Sequence, residues 1–588
     1  MKTLKYIYRL LTVGGLLLGA SCNDYLDTVP DNRTEIDTPE KIGKLVASAY
    51  PKACYAVNFN ARVDYVTDSE LSNKEKLSNT DPFFWREPNS TAQDSPDYFW
   101  SQCYRAISHA NAAVEASARF NDELTAAYVA EARLARAFSH FLLVTTFAQM
   151  YDPTSEEANT SNSGIPYVAE SEDVSIKQYD RETVAKTYER IEEDMLRVQE
   201  MDVAGGAHRL VQRLAQGFRF IDVDHDHLGS DAIHRVPRYH FNYAAAHTFA
   251  SRYYTFKGEW EKVVEEASKV IPKPVDFKEV APGIKNVSAT DPAAIFAVDN
   301  FQPWTTDYAR NGVRDVRPWY WRMTTKSNLL LCEMISSVAS CGTMRYACSL
   351  ADTNNTVNSA NPTGGKWAYM CSGDNRPFSW VGKYENQFTK NNIYSTTGNN
   401  YSIYMLLHVE EALFNRIEAY IHLNRLDEAV ADLNIFCRTR IFDHVSKAPY
   451  DEEENCLTLD RIYDFYAKYK PANGTPYEVL LGSDGGPNPE YFMNKYNAYN
   501  TSSWDVKRQA LLHFLLDCRR NEFLFEGIRY WDMWRYRIPI YHVTQLDQKG
   551  PSNWLMPGDD RWMLQIPEEA VLSGVELNPR EHLLTPEW

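Results

Sequence analysis

The chain is short of positive charge. Its 61 lysines and arginines face 79 aspartates and glutamates, a formal net charge of -18 at pH 7. A polyanion is repelled by such a surface, and no basic stripe interleaved with aromatics offsets it, so nucleic acid is excluded as a partner. Long apolar runs are also missing. The stretch Leu10 to Leu18 is too short to span a bilayer as a stable helix. With a mean hydropathy of -0.48, the chain is not a polytopic membrane protein. No GxSxG, HExxH or phosphate-loop motif occurs, so no nucleophile, metalloprotease centre or nucleotide cradle is nominated. A glycosidase needs only two suitably spaced carboxylates, but no motif singles out such a pair. There is no CxxC pair, which argues against a zinc site of the usual spacing. The expectation is a protein that is not an enzyme and carries no cofactor.

What is present begins at the N-terminus. Lys2, Lys5 and Arg9 precede the Leu10 to Leu18 run, and Gly19-Ala20-Ser21 precede Cys22. A basic region, a short apolar region and a small-residue cleavage site describe a secretory signal over residues 1–21. Leu18-Gly19-Ala20-Ser21-Cys22 resembles the bacterial lipobox, which implies lipidation of Cys22 and anchoring without a membrane span. The acidic Asn23-Asp24-Tyr25-Leu26-Asp27 is similar to the leader of surface-exposed lipoproteins in Bacteroidetes, and residues 22–38 read as a tether. Nine further cysteines remain, four of them between Cys332 and Cys371; export permits disulfides, and an odd number leaves at least one thiol outside any internal pairing.

Helical periodicity dominates the rest. Trp100, Tyr104, Ile107 and Val114, then Leu134, Phe138, Phe141 and Leu142, predict helices over 98–149 with Asn121 as an N-cap between them. Val184, Tyr188, Ile191, Met195 and Val198 continue the rhythm. Two hairpins follow. One joins 241–256 to 260–271 through Lys257-Gly258-Glu259; the other joins 404–423 to 428–438 through Asn424 to Asp427. A C-terminal helix is expected near 507–535. The fold class is therefore mainly α: a helical bundle of tetratricopeptide-like helix pairs with long loop-rich insertions at 65–96, 201–237, 274–400 and 441–503. Loops of that length in a folded chain are binding elements or disordered, and their Trp and Tyr content favours order.

Aromatics make up 13% of the chain. Large helical cores use such rings as filler, but rings in loops also stack on the C–H faces of sugars. The ligand-binding candidates are Phe84, Trp85 and Arg86, then Trp304 with Trp319, Tyr320 and Trp321, where Arg, Asn and Asp neighbours would bond hydroxyls. Asp222, Asp224 and Asp226 are a weak candidate for calcium, since the sixth position of that run is His227 rather than Gly and the twelfth is Ile233 rather than Glu. In the C-terminal helix, Arg519, Glu522, Glu526, Arg529, Asp532 and Arg535 stand three or four apart and read as an ion-pair network. Arginine partners favour the charged carboxylate, the opposite of what a general acid needs.

One resemblance covers nearly the whole mature chain. Arg519-Arg520-Asn521-Glu522-Phe523-Leu524-Phe525-Glu526-Gly527-Ile528-Arg529-Tyr530-Trp531-Asp532-Met533-Trp534-Arg535 resembles the signature segment of the SusD/RagB family of nutrient-binding lipoproteins. Trp100 to Asn111, Ala130 to Phe138, Gly164-Ile165-Pro166, His408 to Arg438 and Leu564-Gln565-Ile566-Pro567 resemble further family segments in order. The ending Trp534-Arg535-Tyr536-Arg537 departs from the commoner Arg-Trp-Gly, and 274–400 is idiosyncratic, so the ligand stays open. The resemblance implies one domain over 22–588, surface exposure on the outer membrane through a lipid anchor, and capture of a glycan or oligosaccharide. It also implies delivery to a TonB-dependent, SusC-like transporter; some members bind peptides instead. The alternative from another class is a helical-repeat scaffold or adhesion lipoprotein holding a protein or peptide.

Overall fold

The computed structural model of the chain describes residues 36–66, 68, 77–88, 90–172, 177–203, 239–271, 328–336, 359–369, 387–390, 394–443, 448–467, 498–542 and 554–584. The helices begin where the sequence supplies caps. Helix α1, Pro39–Ala47, starts on Thr38, and two short helices follow, α2 (Tyr55–Phe59) and α3 (Leu77–Phe83). Helix α4, Pro96–Ser117, has Ser95 accepting from the Tyr98 N–H and a proline at its start. Helix α5, Glu123–Phe147, is capped by Asp122 rather than the expected Asn121, because the Asp122 carboxylate accepts from the backbone N–H and hydroxyl of Thr125. Ala110, Ala113, Ala127 and Ala130 are buried, and such small side chains let helices approach closely.

Helix α6 (Glu156–Ser161) and helix α7 (Val184–Val203) come next, and the expected stripe Val184, Tyr188, Ile191 and Met195 is buried. Helices α8 (Tyr243–Lys257) and α9 (Trp260–Val270) form the next antiparallel pair. Gly258, at φ 71, ends α8 in the left-handed conformation, and Glu259 N–H bonds back to the Tyr254 carbonyl at 3.0 Å. Asn424, at φ 57, plays the same part between α10 (Val409–His422) and α11 (Leu426–Arg440), where Arg425 N–H bonds to the Tyr420 carbonyl at 2.8 Å. The pairs are fastened face to face: the Trp260 ring stacks on His422 with centroids 3.8 Å apart. The structure is mainly helical, as the periodicity requires.

Three expectations are corrected. Residues 404–408 are not helical. They end strand β3 (Gly398–His408), the middle of an antiparallel sheet with β1 (Asn328–Ile335) and β2 (Gln387–Lys390), and His408 passes straight into α10 as its extended N-cap. The apolar run Tyr404-Met405-Leu406-Leu407 is buried throughout, so helical and strand periodicity cannot be told apart there. Accordingly the 274–400 insertion holds β1, β2 and the start of β3, and 441–503 holds helix α12, Leu459–Tyr466. Lastly, the C-terminal helix is broken. Helix α13 (Val506–Glu522) and helix α14 (Ile528–Arg535) are separated by Phe523 to Gly527, with Phe525 at φ 61 and Gly527 at φ 79. Gly527 is required: a Cβ there would lie 2.8 Å from the Ala56 Cα.

At that break the segment meets residues 55–65, far away in the chain. The Tyr65 hydroxyl accepts from Phe525 N–H at 2.9 Å, and the Asn60 amide donates to the Phe525 carbonyl at 2.7 Å. Trp531 packs on Tyr55, Phe59, Phe141 and Phe256. Cys54, Cys103, Cys437 and Cys518 are buried thiols; Cys341, Cys348 and Cys371 lie outside the described residues. Among the described residues no helix is long and apolar enough to cross a membrane.

Candidate functional site

The signature segment is an ion-pair lattice, but its partners are mostly remote. Asp532–Arg535, at 3.1 Å, and Arg520–Asp517, at 3.3 Å, join neighbours along a helix. Arg519 grips Asp532 through two bonds of 2.8 and 2.9 Å, Arg529 reaches Asp64 at 2.7 Å, and Arg535 reaches Glu418 at 2.7 Å. Glu526 lies 2.6 Å from His408, and Glu522 takes two bonds from Arg440, both 2.8 Å, plus the Tyr369 hydroxyl at 2.7 Å. Except for Asp64, which is slightly exposed, these charged groups are buried. Burial alone would raise the Glu418 and Asp64 carboxyls; the adjoining Arg535 and Arg529 charges outweigh it and hold both below the usual range. These bonds tie the segment to α10, α11 and the N-terminal half of the chain, as an ion-pair network would.

Glu410 is the exception. It is buried with a single 3.2 Å contact to Arg440, whose better bonds go to Glu522. Burial pushes its pKa up to about 7, opposed by Arg440 and aided by the Glu522 charge. His408 is also raised, because Glu526 more than offsets burial. Both shifts have the same sign for stability. A folded-state pKa above the unfolded value means the native state binds the extra proton, so stability falls as pH rises through that interval. Glu410 is therefore expected to cost about 3 kcal/mol between mildly acidic pH and pH 8. Urea denaturation of Glu410→Gln, which cannot titrate, should give a flatter profile between pH 4.5 and 7; an unchanged slope would refute the assignment.

At two surfaces among the described residues, aromatic side chains stand beside an arginine. The first is the turn after α3. Trp85 adopts φ 51 and turns inward, 2% exposed. Its ring stacks on His542 at 4.6 Å, its Nε1 donates to the Arg62 carbonyl at 3.4 Å, and Arg561 lies over its face at 6.0 Å. Trp85 thus pins the loop to the body. Phe84 is half-buried and Arg86 exposed, with the guanidinium 4.8 Å above the Phe84 ring. Glu87 and Arg580, paired at 2.5 Å, continue the same rim. Trp304, Trp319, Tyr320 and Trp321, together with Asp222, Asp224, Asp226 and Cys22, lie outside the described residues. Among the described residues no cluster of metal-ligating side chains occurs.

The second surface is a cleft of about 390 Å³, lined by Tyr151, Asp152, Asn162, Tyr499, Trp534, Arg537 and Trp562 among others. Trp534 stacks on Trp562 with centroids 5.8 Å apart, and Arg537 pairs with Asp152 at 2.9 Å. The cleft is not legible in the sequence because its rings come singly from distant segments, whereas clustered aromatics such as Phe83-Phe84-Trp85 stand out. Trp534 was visible only as part of the structural signature.

Helix pairs around one core, a small antiparallel sheet leading into α10, and aromatic surfaces beside charged rims define a mainly helical fold of packed helix pairs. Comparison narrows this. The sequence profile of the SusD-like family described as starch-binding associating with outer membrane matches residues 24–201. The fold matches a SusD superfamily protein from Bacteroides thetaiotaomicron VPI-5482 at TM-score 0.54 and 16% identity, covering 93% of this chain and 100% of that one. It likewise matches a putative sugar binding protein from Bacteroides vulgatus ATCC 8482 (TM-score 0.55, 16% identity, 93% and 99% covered). A SusD superfamily protein from Bacteroides fragilis is similar at TM-score 0.54 and 15% identity, with 92% and 99% covered. No curated protein matches the sequence. Residues 24–201 are thus similar in sequence to the SusD-like family, and the fold as a whole is similar to that of SusD superfamily structures.

Proposed function

We propose that the chain is a non-catalytic glycan-binding lipoprotein of the outer-membrane surface, which hands captured oligosaccharide to a TonB-dependent, SusC-like transporter. The observation that carries this reading is the match of residues 24–201 to a family described as starch-binding and associated with the outer membrane. The signal-like N-terminus with Cys22, and the shared fold with a putative sugar binding protein, support it. We read residues 22–588 as one domain, in keeping with the bonds that tie residues 60–65 to Phe525. Half-buried Phe84 and exposed Arg86 are taken as ligand contacts alongside Trp304, Trp319, Tyr320 and Trp321, with Trp85 holding the turn in place.

The chain starting at residue 23 should be retarded in native gels containing one class of polysaccharide. Phe84→Ala combined with Arg86→Ala should weaken that binding roughly tenfold, the loss of one ring and one charged donor. No retardation by any glycan would overturn the reading. In the full chain, Cys22→Ser should move the protein from the membrane to the soluble fraction. Co-purification with a β-barrel transporter is expected; a non-transporter partner would favour the scaffold alternative.

A further inference from the structure

We propose that the cleft between the segment after α5, the turn at Ala498–Ser503 and the end of α14 is a second saccharide site, which takes a neutral sugar. This rests on the reading of the chain as a glycan binder. None of its lining residues belongs to the Phe84–Arg86 rim, so the two surfaces are separable by substitution.

The size is suitable: about 390 Å³ lies within the range of roughly 300–1,000 Å³ common for small-molecule sites. The lining is of two kinds. Tyr151 and Tyr499 are half-buried and present ring surface, while Trp534, backed by Trp562, forms the floor. Such rings accept the apolar C–H faces of pyranoses. Beside them stand Asp152 and Arg537, paired at 2.9 Å but with side chains still 24% and 43% exposed. A carboxylate and a guanidinium side by side offer acceptors and donors to neighbouring hydroxyls. Their charges cancel, so neither an anionic nor a cationic ligand is favoured over a neutral one. Ion pairs this exposed contribute little to folding, so stability does not account for the placement.

The backbone gives an independent reason. Tyr499 and Arg537 both sit at φ 53, in the left-handed region that side-chain-bearing residues avoid. Two unfavourable conformations converge on one cleft and orient the ring and the guanidinium that face it. Backbone strain of this kind concentrates at binding sites, where the surrounding structure enforces it.

The test uses isothermal titration of the chain from residue 23 with neutral malto-, xylo-, manno- and cello-oligosaccharides. Tyr151→Ala and Arg537→Ala remove one wall each. Ala158→Trp fills the cleft from the surface of α6 without touching the core. Each variant should keep the circular dichroism and melting temperature of the parent within a few degrees and weaken a binding event roughly tenfold. If the parent binds an oligosaccharide and all three folded variants bind it equally well, the cleft is not a saccharide site, and the broader glycan reading stands. If the parent binds no glycan of any class, the reading beneath the inference fails with it.

Discussion

Arg535→Ala is expected to destabilise the protein by about 3–5 kcal/mol near neutral pH, the cost of stranding a buried charge. Arg535 is 1% exposed and bonds both oxygens of Glu418, at 2.7 and 3.1 Å, and one of Asp532. Its removal leaves Glu418 with only the Tyr536 hydroxyl at 2.7 Å among these contacts, while Asp532 keeps Arg519. The pH dependence follows from the sign of the shift. In the parent, Glu418 is held below its ordinary pKa of 4.5, so its contribution exists above that value and fades as the solution becomes more acidic. Without Arg535, burial dominates and the carboxyl prefers its proton. The deficit of the variant should therefore be largest at neutral pH and shrink below about pH 4.5. Urea midpoints across pH measure this. The double variant Arg535→Met with Glu418→Leu should recover most of the loss, because an apolar pair of similar volume leaves no charge unpaired. A single-variant loss under about 1 kcal/mol would refute the account of the lattice as a buried, mutually dependent set.

Trp531→Ala should cost a comparable amount, about 3–5 kcal/mol, for a different reason. The ring is 1% exposed and lies 4.3 Å from Tyr55 and 5.7 Å from both Phe59 and Phe256, so it joins the N-terminal segment to α8. Its Nε1 donates to the Thr145 carbonyl at 3.1 Å, near the end of α5. Alanine leaves a cavity at the junction of these elements and an unmet carbonyl besides. Trp531→Phe keeps much of the packing and loses the bond, so it should cost markedly less. Equal losses for the two would show that the hydrogen bond, not the cavity, controls this site.

Both residues lie in a segment whose importance is legible in the sequence, yet of the four pairs its spacing suggests only Asp532–Arg535 forms. Spacing of three along one helix nominates Arg519–Glu522, Glu526–Arg529 and Arg529–Asp532. The helix breaks at Phe523 to Gly527, and the charges turn outward to Arg440, His408 and Asp64 instead. Local spacing says which side chains are neighbours if the helix continues. It says nothing of what another element brings within reach. Trp85 shows the same limit at the surface. A Trp in a loop reads equally well as a ligand platform or as an anchor, and only the position of His542, more than four hundred residues away in sequence, decides for the anchor.

What the sequence determined by itself is what depends on period, composition and end chemistry. The stripe of α7, the Gly258 and Asn424 turns and the helix pairs each follow from residues close together in the chain. Tertiary structure decided whatever depends on convergence of distant segments. The strand at 404–408 needed Leu331 and Cys332 as pairing partners, and the cleft needed Tyr151, Tyr499 and Trp534 brought to one place. Helical propensity is a short-range energy, so it can be read along the chain; strand pairing, buried charge partners and binding surfaces are long-range contacts, set only when the core has closed.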